Sequence, residues 1–171
     1  TENISCIFHL AAQALVPLAY EDPVLTLDTN IMGTVSVLEA ARLIPSVKAV
    51  IVASSDKAYG KDCKNASEDQ ALSGDHPYDV SKSAADLICT AYFKTYGIPV
   101  TVSRFGNIFG PGDMNFNRII PGLMKAAINN EVLEIRPLAD YYHIHDAPPG
   151  SPRNIPVKEG HTWSLSFVKY K

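Results

Sequence analysis

Two groups of residues have the types and the spacing to do chemistry. Ser55-Asp56-Lys57 ends the apolar run VKAVIVAS, setting a hydroxyl, a carboxylate and an amine in succession where a buried segment runs out. Tyr78 and Lys82 follow in the stretch YDVSK. Residues four apart share a helical face, so the phenol and the ammonium converge if this stretch is helical. A tyrosine acting as a base near neutral pH needs its pKa of about 10 lowered by about 3 units, roughly 4 kcal/mol of preferential stabilisation of the phenolate. A neighbouring lysine supplies part of this, and a bound cofactor carrying positive charge supplies more. Asp56 and Lys57 read in two ways. They are an acid and a base poised over a substrate, or a solvated turn in which Asp56 caps a backbone amide.

The elements that must position these groups alternate along the chain. ISCIFHLAA, VKAVIVASS and PVTVSRF are short, bounded apolar runs that predict buried strands. Between the first two, Leu27, Ile31, Val35, Leu38 and Ala41 recur at helical spacing, with Asp22 before Pro23 as the expected N-cap. A second helix is expected from Pro77 to Gly97, with Ala84, Leu87, Ile88 and Ala91 inward. After PVTVSRF come a loop GNIFGPGDMNF, a helix NRIIPGLMKAAINN and a strand EVLEIR. Strands separated by helical crossovers predict an α/β fold with a parallel sheet, whose ligands sit beyond the C-terminal strand ends. HLAAQ, SSDK and RFGNIFG all fall at such ends. The stretch from 147 to 171 holds four of the 12 prolines and predicts an irregular tail ending in a short strand near TWSLSFV.

Composition narrows the class. With 171 residues, 46% hydrophobic and 19% charged, the chain is long enough for one domain with a sizeable core. A net charge of -3 with no basic tract argues against a nucleic-acid or anionic-membrane partner. No apolar run reaches the roughly 20 residues that span a bilayer, and no basic segment precedes an N-terminal apolar stretch as in a signal peptide. Cys6, Cys63 and Cys89 are odd in number and widely spaced, as expected for thiols in a reducing cytoplasm. The sequons at Asn3 and Asn65 carry no weight without a secretory context.

A serine, a tyrosine and a lysine in this arrangement form the catalytic set of the short-chain dehydrogenases/reductases. The ordered motifs HLAAQ, TNIMGTVSVLEAAR, SSDKAYG, HPYDVSKSAADLI, YGIPVTVSRFGNIFGPGD and RIIPG resemble the extended branch of that superfamily, the NAD-dependent epimerase/dehydratase family. The likeness runs from residue 4 to about 146 and is nearest to the CDP-glucose 4,6-dehydratase group. It implies a partial Rossmann-like sheet over residues 1–146, the second half of a doubly wound NAD-binding domain. It also implies NAD as cofactor and a CDP-glucose-like nucleoside-diphosphate hexose as substrate.

By the same resemblance, Tyr78 is the base at the sugar C4 hydroxyl, Lys82 holds the nicotinamide ribose, and Ser55 bonds the reacting oxygen. Asp56 and Lys57 are the acid and the base of water elimination across C5–C6. Ala11, Ala12 and Gln13 line the cofactor, Asn30 braces the strand ends, and Asn107 and Arg118 meet the substrate diphosphate. The helices of Asn30 and Tyr78 form a homodimer interface in such proteins. An epimerase, which needs no acid/base pair at Asp56-Lys57, is the alternative reaction. His143, His145 and Asp146 could suggest a metal, but DYYHIHD resembles a family segment that holds none.

The resemblance has gaps. The Gly-rich strand-to-helix turn that holds the NAD pyrophosphate has no counterpart in this sequence. Ala139 stands where the family has an arginine, and beyond Asp146 the likeness ends. These gaps suit a fragment of a dehydratase, a shortened inactive product, or a non-enzymatic binding module. They predict weak NAD binding, or none, by these 171 residues alone.

Overall fold

The structure is a computed structural model that describes residues 3–60, 66–108, 110–132 and 166–169. Strand β1 (Cys6–His9) is followed by α1 (Val16–Glu21), α2 (Pro23–Leu27), a π-helical turn (Asp28–Met32) and α3 (Gly33–Leu43). Next come β2 (Ala49–Ser55), a 3-10 turn (Asp56–Tyr59), α4 (Pro77–Tyr96), β3 (Val100–Phe105), α5 (Ile119–Asn129) and β4 (Ser166–Lys169). The chain divides into two units, Thr1–Asn107 with Trp163–Lys171, and Ile108–Thr162. The expected strand over 131–136 falls mostly outside the described residues. So do Cys63, Asn65, Ala139, His143, His145, Asp146 and the tail from 147 to 165.

In the first unit the sheet order is β1-β2-β3-β4. β1, β2 and β3 are parallel, in a register that sets His9 opposite Val52 and Ser54 opposite Arg104. β4 runs antiparallel to β3, with Ser166 opposite Arg104. Three parallel strands joined through helices make the α/β, Rossmann-like arrangement expected from the alternation of apolar runs. Val50, Val52, Val100 and Val102 turn one sheet face toward Leu38 and Ala41 of α3 and Cys89 of α4, and this is the core. Burying such a Val or Leu side chain contributes about 1.5–3 kcal/mol.

Local chemistry sets the helix ends. The Asp22 carboxylate accepts from the Leu25 amide at 2.9 Å, so the expected cap is made. Gly97 ends α4 at φ 70°, a left-handed cap whose amide reaches the Phe93 carbonyl at 2.9 Å. The helix expected after Asp22 is not continuous, because the π turn inserts between α2 and α3 and points Asn30 inward at 3% exposure.

Of the expected inward face of α4, Ile88 packs against the core and Ala84 is half-buried, but Leu87 and Ala91 need correction. Leu87 is 57% exposed and Ala91 is also exposed, whereas Asp79, Ser81, Lys82, Ser83, Ala85, Asp86 and Cys89 are buried. Polar groups with partners in the sheet and its turns take the buried face, and the helix rotates accordingly.

Candidate active site

Asn30 is the hub beneath the strand ends. Its carboxamide oxygen accepts from the Gln13 amide at 2.8 Å, and its nitrogen donates to the Gln13 carbonyl at 3.0 Å and the Ser81 hydroxyl at 2.8 Å. Ser81 in turn donates to the Tyr78 carbonyl at 2.7 Å. The π turn is thus bonded both to the segment after β1 and to the first turn of α4, which carries Tyr78. Gln13 turns its side chain to Thr26, 2.7 Å away, and to the Leu15 backbone. Ala11 and Ala12 instead border a small cavity shared with Asn30, Ser54 and Lys82.

Lys82 and Tyr78 lie together. The Lys82 ammonium is 6.0 Å from the centroid of the Tyr78 ring and donates to the Ala53 carbonyl, near the end of β2, at 3.1 Å. Burial of Lys82 pulls its pKa below the ordinary lysine range. His9, at the end of β1, is pushed down by burial and then by the Lys82 charge, and it bonds Thr34 at 3.1 Å. A neutral imidazole therefore borders the lysine.

Ser55 caps the 3-10 turn. Its hydroxyl accepts from the Lys57 amide at 3.2 Å and donates to the Asp56 carboxylate at 3.1 Å. The capping side chain of this turn is Ser55, not Asp56, and Asp56 and Lys57 are both half-buried. The first unit therefore brings Ser55, Asp56, Lys57, Tyr78, Lys82, Asn30, Ala11 and Ala12 to one edge of the sheet. Asn107 is exposed two residues past β3. Arg118 belongs to the second unit, where its guanidinium pairs with Asp113 at 3.1 Å.

Three features had not been expected from the residues. His76 stacks between Tyr20, at 5.2 Å, and Tyr78, at 6.4 Å, and its Nε2 lies 3.1 Å from an oxygen of Asp79. Burial pushes the Asp79 carboxyl up to about 6, against the pull of Lys57, and burial together with Lys57 pushes His76 down. Arg104, inside β3, pairs with Asp86 through two hydrogen bonds at 2.6 and 2.9 Å. An arginine inside an apolar strand is itself a sign that a buried acid must meet it. The Ser54 hydroxyl is buried on the cavity side of β2 with no hydrogen-bond partner among the described residues.

Fold and site together define a class, a Rossmann-like α/β protein of the short-chain dehydrogenase/reductase kind. The family model described as GDP-mannose 4,6 dehydratase matches residues 1–150, and the chain belongs to that family. It is 36% identical over 141 residues to the CDP-glucose 4,6-dehydratase of Salmonella typhimurium, a match covering 76% of this chain and 39% of that protein. Among solved structures it resembles dTDP-glucose 4,6-dehydratase DesIV from Streptomyces venezuelae, solved with NAD bound. That match has a TM-score of 0.68 at 29% identity and covers 75% of this chain and 40% of that one. It also resembles UDP-glucuronic acid 4-epimerase from Bacillus cereus, solved with UDP-glucuronic acid and NAD. There the TM-score is 0.65 at 30% identity, covering 75% of this chain and 41% of the other. The chain thus spans about two fifths of the length of these relatives.

Proposed function

We propose that this chain carries the catalytic strand ends of an NAD-dependent nucleotide-sugar 4,6-dehydratase acting on a nucleoside-diphosphate hexose such as CDP-glucose. The observation that carries the reading is the half-buried Asp56-Lys57 pair on the turn that Ser55 caps, at the same sheet edge as Tyr78 and Lys82. A C4 epimerase oxidises, rotates and re-reduces its sugar, and has no use for an acid/base pair at C5 and O6.

NAD suits the residues present. Ala11 and Ala12 leave room at the strand ends, Lys82 offers an ammonium to a ribose hydroxyl, and the buried Ser54 hydroxyl, which has no hydrogen-bond partner among the described residues, borders the same cavity. Bound there, NAD would supply the hydride acceptor for C4 and the hydride donor for C6. Tyr78 takes the C4 hydroxyl proton, with the Lys82 charge favouring the phenolate. Ser55 hydrogen-bonds the C4 oxygen. Lys57 removes the C5 proton that the C4 ketone has made acidic, and Asp56 protonates O6 as it leaves as water. As hydride reaches C6, Lys57 returns its proton to C5, and the proton taken by Tyr78 replaces through solvent the one given up by Asp56, so an NDP-hexose becomes an NDP-4-keto-6-deoxyhexose and one water. Asn107, exposed past β3, is the group we assign to the substrate diphosphate.

A homodimer fits the outer face of α4, where Val80, Leu87 and Ala91 form an exposed apolar stripe. The test of the reaction uses the full-length protein with NAD and CDP-glucose, and product analysis by NMR. The expected product is the 4-keto-6-deoxy sugar. Asp56→Asn should retain C4 oxidation and slow elimination by about 100-fold or more, as for loss of a general acid. Recovery of the C4 epimer alone would overturn the dehydratase reading.

A further inference from the structure

The turn that carries Asp56 and Lys57 is only four residues long, and its own backbone does little to hold it. It is bolted from outside at two places. The Ala58 carbonyl accepts from the Ser83 hydroxyl of α4 at 3.0 Å and from the Ser73 amide at 2.9 Å. The Tyr59 hydroxyl accepts from Nη1 of Arg104 at 2.7 Å, and that same nitrogen donates to the Glu68 carbonyl at 3.1 Å. The other side of the Arg104 guanidinium grips Asp86 on α4, four residues beyond Lys82 and so on the same helical face. Tyr59, Asp86 and Arg104 are 5%, 1% and 4% exposed. Gly60 releases the chain from the turn at φ 84°, where a side chain would press on Ser73.

We infer that Arg104 is a clamp that holds Tyr59, and through it Asp56 and Lys57, at a set position against the Tyr78–Lys82 face of α4. Tyr59 is then a positioning residue for the elimination step. This rests on the dehydratase reading for its kinetic consequence, though not for its geometry. Lys82 is anchored to the Ala53 carbonyl, upstream of Ser55, and owes nothing to Tyr59. Hydride transfer therefore has its own support, whereas proton transfer at C5 and O6 depends on where the turn sits. Reacting atoms displaced by fractions of an ångström lose rate steeply. The clamp thus couples more strongly to elimination than to oxidation, because Ser55 alone of the oxidation set is bonded to the turn, whereas Lys82 is held by the Ala53 carbonyl.

The test is Tyr59→Phe in the full-length protein, which removes one hydroxyl and keeps the ring. Single-turnover mixing with NAD and CDP-glucose should show C4 oxidation within about twofold of wild type. Elimination should slow by about tenfold, the effect of losing one hydrogen bond to a charged group, so that reduced cofactor accumulates transiently at 340 nm. Ser83→Ala, which loosens the other bolt, should shift the two steps in the same unequal way. Equal slowing of both steps, or of neither, would overturn the inference. Amide hydrogen exchange separates this from the reaction assignment. In Tyr59→Phe the Lys57 and Gly60 amides should exchange about tenfold faster while α4 amides keep wild-type protection. If wild type yields only an epimer, the dehydratase reading fails and exchange alone decides the clamp. Unchanged protection at Lys57 and Gly60 would overturn it.

Discussion

His76 and Asp79 form a buried pair whose two protonation preferences oppose each other. Asp79, pushed up to about 6, keeps its proton in the folded chain at pH values where the unfolded chain, near 3.8, has lost it. His76, pushed below its ordinary 6.5, lacks a proton where the unfolded chain carries one. The proton that folding adds at Asp79 and the proton that it removes at His76 therefore offset each other, which flattens the pair's contribution to stability on the acid side of neutrality. Lys57, Asp75 and Asp56 face the pair and keep their own influence on it. Asp79→Asn leaves His76 alone, so stability should fall as pH drops below about 6.5. His76→Gln leaves Asp79 alone, so stability should rise as pH falls from about 6 to about 4. The two slopes are opposite in sign, and that of the Asp79 term approaches about 1.4 kcal/mol per pH unit. Urea unfolding of both variants across this range measures them, and slopes of the same sign would contradict the pairing.

At the scale of elements, the two-pronged Arg104–Asp86 pair ties β3 to α4 inside the protein. Removing one member strands the other as a buried charge, so Asp86→Ala should cost about 3–5 kcal/mol in denaturant unfolding. Replacing both, Asp86→Leu with Arg104→Met, should recover most of that loss, because two apolar side chains leave no charge to desolvate. A double variant as unstable as the single one would show that the pair holds the elements by more than its charges. The helix register obeys the same polar demands. Ser81, Lys82, Ser83 and Asp86 each have a partner on the inner side of α4, so Leu87 and Ala91 are left outside.

For the whole molecule, that outer stripe becomes a surface. Val80 is 42% and Leu87 57% exposed, with Leu87 about two turns and Ala91 about three turns beyond Val80 on the same face. Leu87→Glu in the full-length protein should weaken a dimer by about 30-fold or more, the loss typical of a central interface side chain. Sedimentation equilibrium reads this directly, and a monomeric wild type or an unchanged association constant would overturn the proposed α4 dimer.

Much of this protein is legible along the chain. Strand cores such as AVIVASS, the Asp22 cap, the Pro77 start and the Gly97 stop of α4 follow from local apolar runs and backbone preferences, which neighbouring residues decide among themselves. Tyr78 and Lys82 meet because four residues of helix bring them together. The rest depended on partners far away in sequence. Arg104 meets Tyr59 from 45 residues off, Asn30 reaches Ser81 across 51, and Lys82 reaches Ala53 across 29. No local pattern encodes those pairings, since each arises only when parallel strands and the helix between them are packed. Sequence placed an acid and a base after Ser55, whose hydroxyl caps them locally, and packing decided that Arg104 reaches the Tyr59 end of the turn on which they stand.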